Sequence, residues 1–373
     1  MSGNTVRLGR VFGIEVKLDY SWFIIFVLVT WSLGGQYFPS MYRGWSKGIY
    51  WAMGAVTAVL FFGSVLAHEL AHSLVAQASG VPVRDITLFI FGGASHISDE
   101  PKTARNELWM ALVGPMTSLV LAGLFGVLWL VSPAISPYLR ALSAWLAGIN
   151  LSLAMFNLIP GFPLDGGRVF RAIIWAITNN LRTATRIATG LGRVIASAFI
   201  LIGVWRIFNG SWANGLWIAF IGWFLENASM STYRRSALQD MLSGHTAREI
   251  MTTDCAYIPP GLSVEDLVDQ VLLPTGKRCF PVGQAGQVQG LVTLHRIKTV
   301  PRNQWTSTRV EQVMIPRDQL KTVGPDDGLN AVFDRMTAED VNQFLVVQGP
   351  QLLGMVARDN VLNYIRMRAE LGL

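Results

Sequence analysis

Six stretches of the chain are apolar over almost the roughly 20 residues that a helix needs to cross a bilayer. They run over residues 19–38, 50–78, 108–132, 141–160, 190–208 and 212–228. The predicted fold class is therefore a multi-pass α-helical membrane domain of about six transmembrane helices. After Thr246 the pattern changes. Short apolar runs of strand length, such as Cys279-Phe-Pro-Val and Phe344-Leu-Val-Val, alternate with amphipathic helical segments, such as Val264–Val271 and Leu329–Met336. Corresponding elements recur 63–65 residues apart (Ala247 and Val310, Gly290 and Gly354, Cys279 and Phe344), so two similar α/β units follow the membrane part. The predicted domains are residues 1–235, then a linker with the first unit at 236–308, then the second unit at 309–373.

Composition agrees with this division. Of the 373 residues, 51% are hydrophobic and only 14% are charged, against about a quarter charged in ordinary soluble domains. The net charge of +6 is carried by basic residues beside apolar segments, with no stripe of the kind that binds nucleic acid. Arg7, Arg10 and Lys17 precede the first span. Arg84, Lys102 and Arg105 lie between the second and third, Arg168 to Arg193 between the fourth and fifth, and Arg234 and Arg235 after the sixth. The opposite loops hold only Arg43 and Lys47, Arg140 and Arg206. The positive-inside rule then predicts a multi-pass protein of the cell membrane, with both termini and the α/β units in the cytoplasm. The first apolar run reads as a retained span rather than a cleaved leader. Cys255 and Cys279 lack metal-site spacing and suit a reducing compartment.

Candidate chemistry begins in the second span with the pentad His68-Glu69-Leu70-Ala71-His72. Two histidines four apart share one helix face, which is how such a pair holds zinc. The glutamate between them is placed to act on metal-bound water. Ionisable groups within a span cost roughly 2.5–3.5 kcal/mol each on insertion scales and mark function by default.

A catalytic zinc needs one more protein ligand and keeps its fourth position for water. Asp165 is the best candidate. It lies in Asn157-Leu-Ile-Pro-Gly-Phe-Pro-Leu-Asp-Gly-Gly-Arg168, whose prolines and glycines break a helix and allow irregular backbone to line a cavity. His96 is a rival, ranked below it. Asp85, Asp99 and Glu100 sit in polar loops and read as solvated.

These residues resemble the site-2 protease family of intramembrane zinc metalloproteases, of peptidase M50 type, in its branch with C-terminal tandem CBS domains. The pentad and the N-x-x-P-x-x-P-x-D-G-G run at 157–167 are that family's two signatures. Phe91-Gly-Gly-Ala94 falls where the family has a glycine-containing loop, and Gly114-Pro-Met-Thr-Ser-Leu119 resembles its A-G-P-x-x-N-L, with Val113 for Ala and Ser118 for Asn. The resemblance implies one Zn2+ held by His68, His72 and Asp165. Glu69 is then the catalytic base, and Asn157, Gly92 and Gly93 lie near substrate. It also implies substrates that are transmembrane proteins in the lipid bilayer, such as membrane-tethered regulators. Residues 85–97 are β-rich and end in glycines. A hairpin there would pair with an extended, locally unwound substrate.

The two α/β units resemble a CBS pair, which implies a regulatory or dimerising module, an adenine nucleotide as ligand and a homodimer. The family's nucleotide pattern is Gly-h-h-Ser/Thr-x-x-Asp. Here the first unit has Gly290, Thr293 and Arg296, and the second has Gly354, Ala357 and Asn360. Of the ligand-contacting positions, Thr293 alone keeps the hydroxyl. Two other readings stand beside proteolysis: a CBS-regulated transporter or channel, and an inactive metal-binding adaptor that sequesters membrane proteins. Transporters tend to show paired broken helices, whereas the broken segment here occurs once, and the intact Glu69 speaks against an inert adaptor.

Overall fold

The computed structural model describes residues 5–97, 101–253, 256–277, 279–284, 287–349 and 351–371. The chain divides into two units, Met1–Ser236 and Ala237–Leu373.

The first unit opens with two strands that the apolar pattern does not announce. β1 (Thr5–Val11) and β2 (Ile14–Asp19) form an antiparallel hairpin. Its turn places both Phe12 and Gly13 at positive φ (51° and 83°), as a tight primed turn requires. Ile14, Val16 and Leu18 alternate inward and are buried. Asp19 ends β2 and caps the first helix, its carboxylate accepting from the Ser21 backbone N–H at 2.9 Å.

Helix α1 (Tyr20–Ser32) continues through a wide turn at Leu33–Tyr37 into the short α2 (Phe38–Met41). Then α3 (Lys47–Ala78) runs for 32 residues, or about 48 Å at 1.5 Å per residue. This exceeds a hydrocarbon core of about 30 Å. Next come β3 (Val83–Phe89) and β4 (Gly92–Ile97), an antiparallel hairpin, and β3 also pairs in parallel with β2. The sheet order is β1-β2-β3-β4, so β4 lies at an edge. Leu18, Leu88 and Val65 cluster with Trp22, Phe61, Leu66 and Leu153, seating the sheet on α3.

Four longer helices and one short helix complete the unit: α4 (Ala104–Val131), α5 (Pro137–Asn157), α6 (Asp165–Thr178), α7 (Leu181–Phe208) and α8 (Trp212–Leu242). Five segments are long and apolar enough to cross a membrane: Tyr20–Met41, Lys47–Ala78, Ala104–Ala134, Pro137–Asn157 and Leu181–Phe208. They match the first five expected spans, and α8 covers the sixth. The expected fourth span ran to residue 160, but α5 stops at Asn157, where a turn precedes Pro160. The amphipathic α6 lies outside the predicted spans, because its Gly-Gly start and arginines do not resemble a span. At the turn between β3 and β4, Phe91 packs on Phe220 and Phe224 of α8, with ring centroids 6.2 and 4.8 Å away.

The second unit is a pair of similar α/β folds. One sheet is β5 (Cys279–Gln284), β6 (Gln287–Thr293) and β7 (Ile315–Pro316). The other contains β8 (Thr322–Val323), β9 (Gln343–Gln348) and β10 (Gln351–Ala357), with β9 in the centre. Cys279, Leu291, Leu345 and Met355 form a cluster shared by both sheets. Cys255 lies outside the described residues. Leu242 and Ala247, which precede the first sheet, are buried in the core of the second with Leu329, Phe344 and Val356. Phe344 is fully buried there. Phe344→Ala is expected to lower the opening free energy of β9 by about 3–5 kcal/mol. Hydrogen exchange on the intact chain should show β9 losing protection while the amides of α3 keep theirs.

Candidate active site

Helix α3 delivers His68 and His72 one turn apart on its buried face, at 4% and 5% exposure. Asp165 is the first residue of α6, beyond the turn that ends α5. That turn folds back tightly. A Cβ on Gly166 would overlap the carbonyls of Leu158 and Ile159, and one on Gly167 would overlap Gly161 and Phe162. The Gly-Gly pair therefore lets the backbone of 158–162 lie against the start of α6, which brings Asp165 to the histidines.

The result is a three-atom cluster. His68 Nε2 and His72 Nε2 each lie 3.1 Å from Asp165 Oδ2, and 3.2 Å from one another. Among the described residues, this is the group of three or more His, Cys, Asp or Glu side chains able to hold a metal ion. The outer nitrogens of the rings are engaged. His72 Nδ1 contacts Met110 O at 2.5 Å, and His68 Nδ1 contacts Ser118 Oγ at 2.9 Å. A carbonyl oxygen can only accept, so His72 carries a proton on Nδ1, and as a neutral imidazole it turns the Nε2 lone pair inward. A lone pair facing a carboxylate oxygen at 3.1 Å is repulsive unless a cation lies between them.

Gly114 on α4 leaves room for that cation. A Cβ there would overlap His72 Nε2 and stand 2.7 Å from His68 Nε2. Bonds of about 2.0–2.1 Å at tetrahedral angles separate zinc ligands by about 3.3 Å, close to the separations found. Two imidazoles and a carboxylate are also a donor set that zinc favours.

Glu69 points from the same turn of α3 toward β4. Ser95 Oγ donates to Glu69 Oε2 at 2.7 Å, and Ser73 Oγ donates to Ser95 Oγ at 3.2 Å. Gly93 lies so close that a Cβ would overlap Glu69 Cγ. Gly92, at φ 128°, starts the strand after the turn. Sequence reasoning did not single out Ser95, because its contact with Glu69 spans 26 residues and depends on strand register.

Several other expectations fall elsewhere. Asn157 donates its amide to Leu153 O at 3.1 Å, within its own helix. His96 is 61% exposed and sits 3.1 Å from Asp85, away from the cluster. The solvated reading of Asp85 is corrected. Its side chain is only 14% exposed and lies 3.4 Å from Lys17 and 3.1 Å from His96, because β2, β3 and β4 converge there. Burial pushes the Asp85 carboxyl up, but His96, Thr87 and Lys17 outweigh burial and hold it below its usual range. Asp99 and Glu100 lie outside the described residues. Thr293 is buried, and its hydroxyl accepts from the Arg296 N–H at 3.3 Å, capping the turn at Leu294–Ile297. It lines a cleft of about 700 Å³ between the two α/β folds, together with Thr252, Lys298, Lys321, Arg358 and Asn360.

The cradle at Gly114 makes a direct prediction. Gly114→Ala should remove at least nine-tenths of bound metal from the purified protein while leaving its helical content unchanged. Elemental analysis beside circular dichroism measures both, and full metal occupancy would contradict the geometry.

Comparison with known proteins bears on the same residues. The model of peptidase family M50 matches residues 56–139 and 132–201, which include His68, His72 and Asp165, and the CBS domain model matches 247–302 and 310–367. "Putative zinc metalloprotease Rip3" of Mycobacterium tuberculosis is 34% identical over 366 residues, covering 97% of this chain and 93% of that protein. "Zinc metalloprotease MJ0392" of Methanocaldococcus jannaschii is 28% identical, covering 96% and 95%. Among solved structures, the "Site-2 Protease from Methanocaldococcus jannaschii" aligns at 29% identity with a TM-score of 0.42, over 62% of this chain and 95% of that one. The chain belongs to peptidase family M50, as a membrane protein that carries a C-terminal CBS pair.

Proposed function

We propose that this zinc metalloprotease is an endopeptidase that cuts peptide bonds within or beside transmembrane segments of other membrane proteins. The observation that carries this reading is the three-atom cluster beside Gly114, whose two histidines lie on α3, a helix long and apolar enough to cross a bilayer, with Glu69 at the position after His68. His68, His72 and Asp165 would hold the zinc. When bound, the metal supplies Lewis acidity, lowering the pKa of its water and polarising the scissile carbonyl.

The protein's own groups do the rest. Glu69 takes the proton of the attacking water and returns it to the departing amine. Ser95 and Ser73 hold the Glu69 carboxylate by a short hydrogen-bonded chain. Among the described residues, β4 presents an unpaired strand edge beside it. A substrate helix is internally hydrogen-bonded in lipid, so the segment to be cut must first unwind. Pairing with β4 offers the extended segment replacement partners. In this assignment it is β4, rather than β3, that receives substrate, because β3 is already paired with β2 and β4. The basic loops favour cytoplasmic termini and a cytoplasmic CBS pair. Membrane-tethered regulators are the substrate class in view, and the CBS pair is the regulatory or dimerising part.

The test compares the wild type with Glu69→Gln in proteoliposomes that contain a membrane-spanning reporter. Glu69→Gln is expected to keep its zinc and to cleave about 10²–10⁴-fold more slowly. Equal rates would sink the mechanism. Solute flux without cleavage would favour transport, and reporter capture without cleavage by the wild type would favour an adaptor.

A further inference from the structure

Outside the metal cluster, the most deeply buried charges of the membrane unit among the described residues are Glu107 on α4 and Arg171 on α6. Glu107 is 0% and Arg171 6% exposed. Arg171 Nε donates to Glu107 Oε1 at 2.6 Å, and its Nη2 pairs with the same oxygen. Arg171 Nη1 reaches Thr185 Oγ1 of α7 at 3.5 Å. The guanidinium also lies over the Phe162 ring, 5.2 Å from its centroid. One side chain thus connects α6 to α4, to α7 and to the turn that precedes Asp165.

Such a pair is a poor way to gain stability. Desolvating two charges offsets most of their attraction, and well-packed apolar residues often serve as well or better. What the pair provides is direction. Apolar burial is non-directional and would tolerate a small rotation or slide of the 14-residue α6. A guanidinium forked onto a carboxylate tolerates much less. That matters because α6 begins with Asp165. One residue of helical slippage rotates a side chain by about 100° and shifts it by about 1.5 Å, whereas a metal ligand must be placed to within about 0.5 Å. The partner helix is also the relevant one. Glu107, Met110, Gly114 and Ser118 all lie on the buried face of α4. Three of these hold or accommodate the histidines.

We infer that Glu107 and Arg171 are positioning residues for the metal site, locking α6 to α4 so that the Asp165 carboxylate meets the two imidazoles that α4 also orients. This rests on the reading of Asp165 as a zinc ligand. The test measures zinc affinity by chelator competition on the purified full chain, with the absorption spectrum of the cobalt(II)-loaded protein as a second readout and thermal unfolding as a check on folding. Glu107→Leu/Arg171→Met removes both charges together and keeps the site filled. It is expected to fold, to bind zinc about 10–100-fold more weakly and to shift the cobalt spectrum. Arg171→Lys keeps the charge but not the fork, and should fold with an affinity between the two. Either variant folding with wild-type affinity and spectrum would overturn the inference. Asp165→Asn separates the two levels. If it binds zinc like the wild type, the ligand assignment fails. If it loses zinc while the paired variants do not, only the positioning role fails.

Discussion

Two imidazole nitrogens and a carboxylate oxygen lie within 3.2 Å of one another, and with both rings neutral and their lone pairs turned inward they repel unless a cation lies among them. In a membrane domain the surrounding medium screens that repulsion weakly, so the packing must hold the groups against it. One face of α4 provides most of the restraint. Met110 and Ser118 fix the outer nitrogens of His72 and His68, and Gly114 leaves the space between the inner ones. Pro115 interrupts the backbone ladder of the same helix beside this space. Such a break is tolerated in a membrane helix where neighbouring groups satisfy the backbone.

The catalytic glutamate is restrained from the other direction, by the sheet. β2 and β3 are parallel, and parallel strands need a long crossover between them. Here the crossover is α1 to α3, so the helix that carries the pentad is itself the connection that closes the sheet. β4 then lies against Glu69, with Ser95 donating to the carboxylate and Gly93 allowing the close approach. The N-terminal hairpin belongs to this arrangement. Leu18 of β2 packs with Leu88 of β3 and Val65 of α3, backing the edge that faces the site. A substitution at Leu18 would therefore act on the position of Glu69 without touching it.

Much of this was legible in the residues, for reasons that can be stated one by one. Spans are long and uniformly apolar, so length alone marks them, and α1, α3, α4, α5 and α7 lie where the apolar runs do. His68 and His72 are legible because i,i+4 spacing fixes a shared face before any tertiary structure exists. Asp165 is legible because prolines and glycines signal a break that a membrane tolerates only around a cavity. The rest depends on contacts distant in the chain. Ser118 meets His68 across 50 residues, and Glu107 meets Arg171 across 64. β1 and β2 were missed because Arg7, Arg10 and Lys17 occupy their outward positions and read as a basic flank to the first span. The partner of Asp85 is not legible locally, because Lys17 lies 68 residues earlier in the chain and meets it only through the pairing of β2 with β3.

The CBS pair shows the same division between local pattern and distant use. Asn360 stands where the family pattern has an aspartate, and its side chain is committed to the fold. Its Oδ1 accepts from the Ala357 N–H, and its Nδ2 donates to Thr252 Oγ1 at 3.2 Å, tying the segment before the first sheet to the second fold. Thr293, which keeps the pattern's hydroxyl, uses it to cap a helical turn. Thr293 and Asn360 thus already have partners within the chain. The cations lining the cleft include Lys277, Lys298, Lys321 and Arg358, of which Lys321 pairs with Glu339 and Arg358 donates to Met336 O. Long, flexible cations of this kind hold an anion by charge and discriminate poorly between ligands of similar charge. Selectivity there would have to come from the shape of the cleft, which the two sheets set through the shared cluster of Cys279, Leu291, Leu345 and Met355.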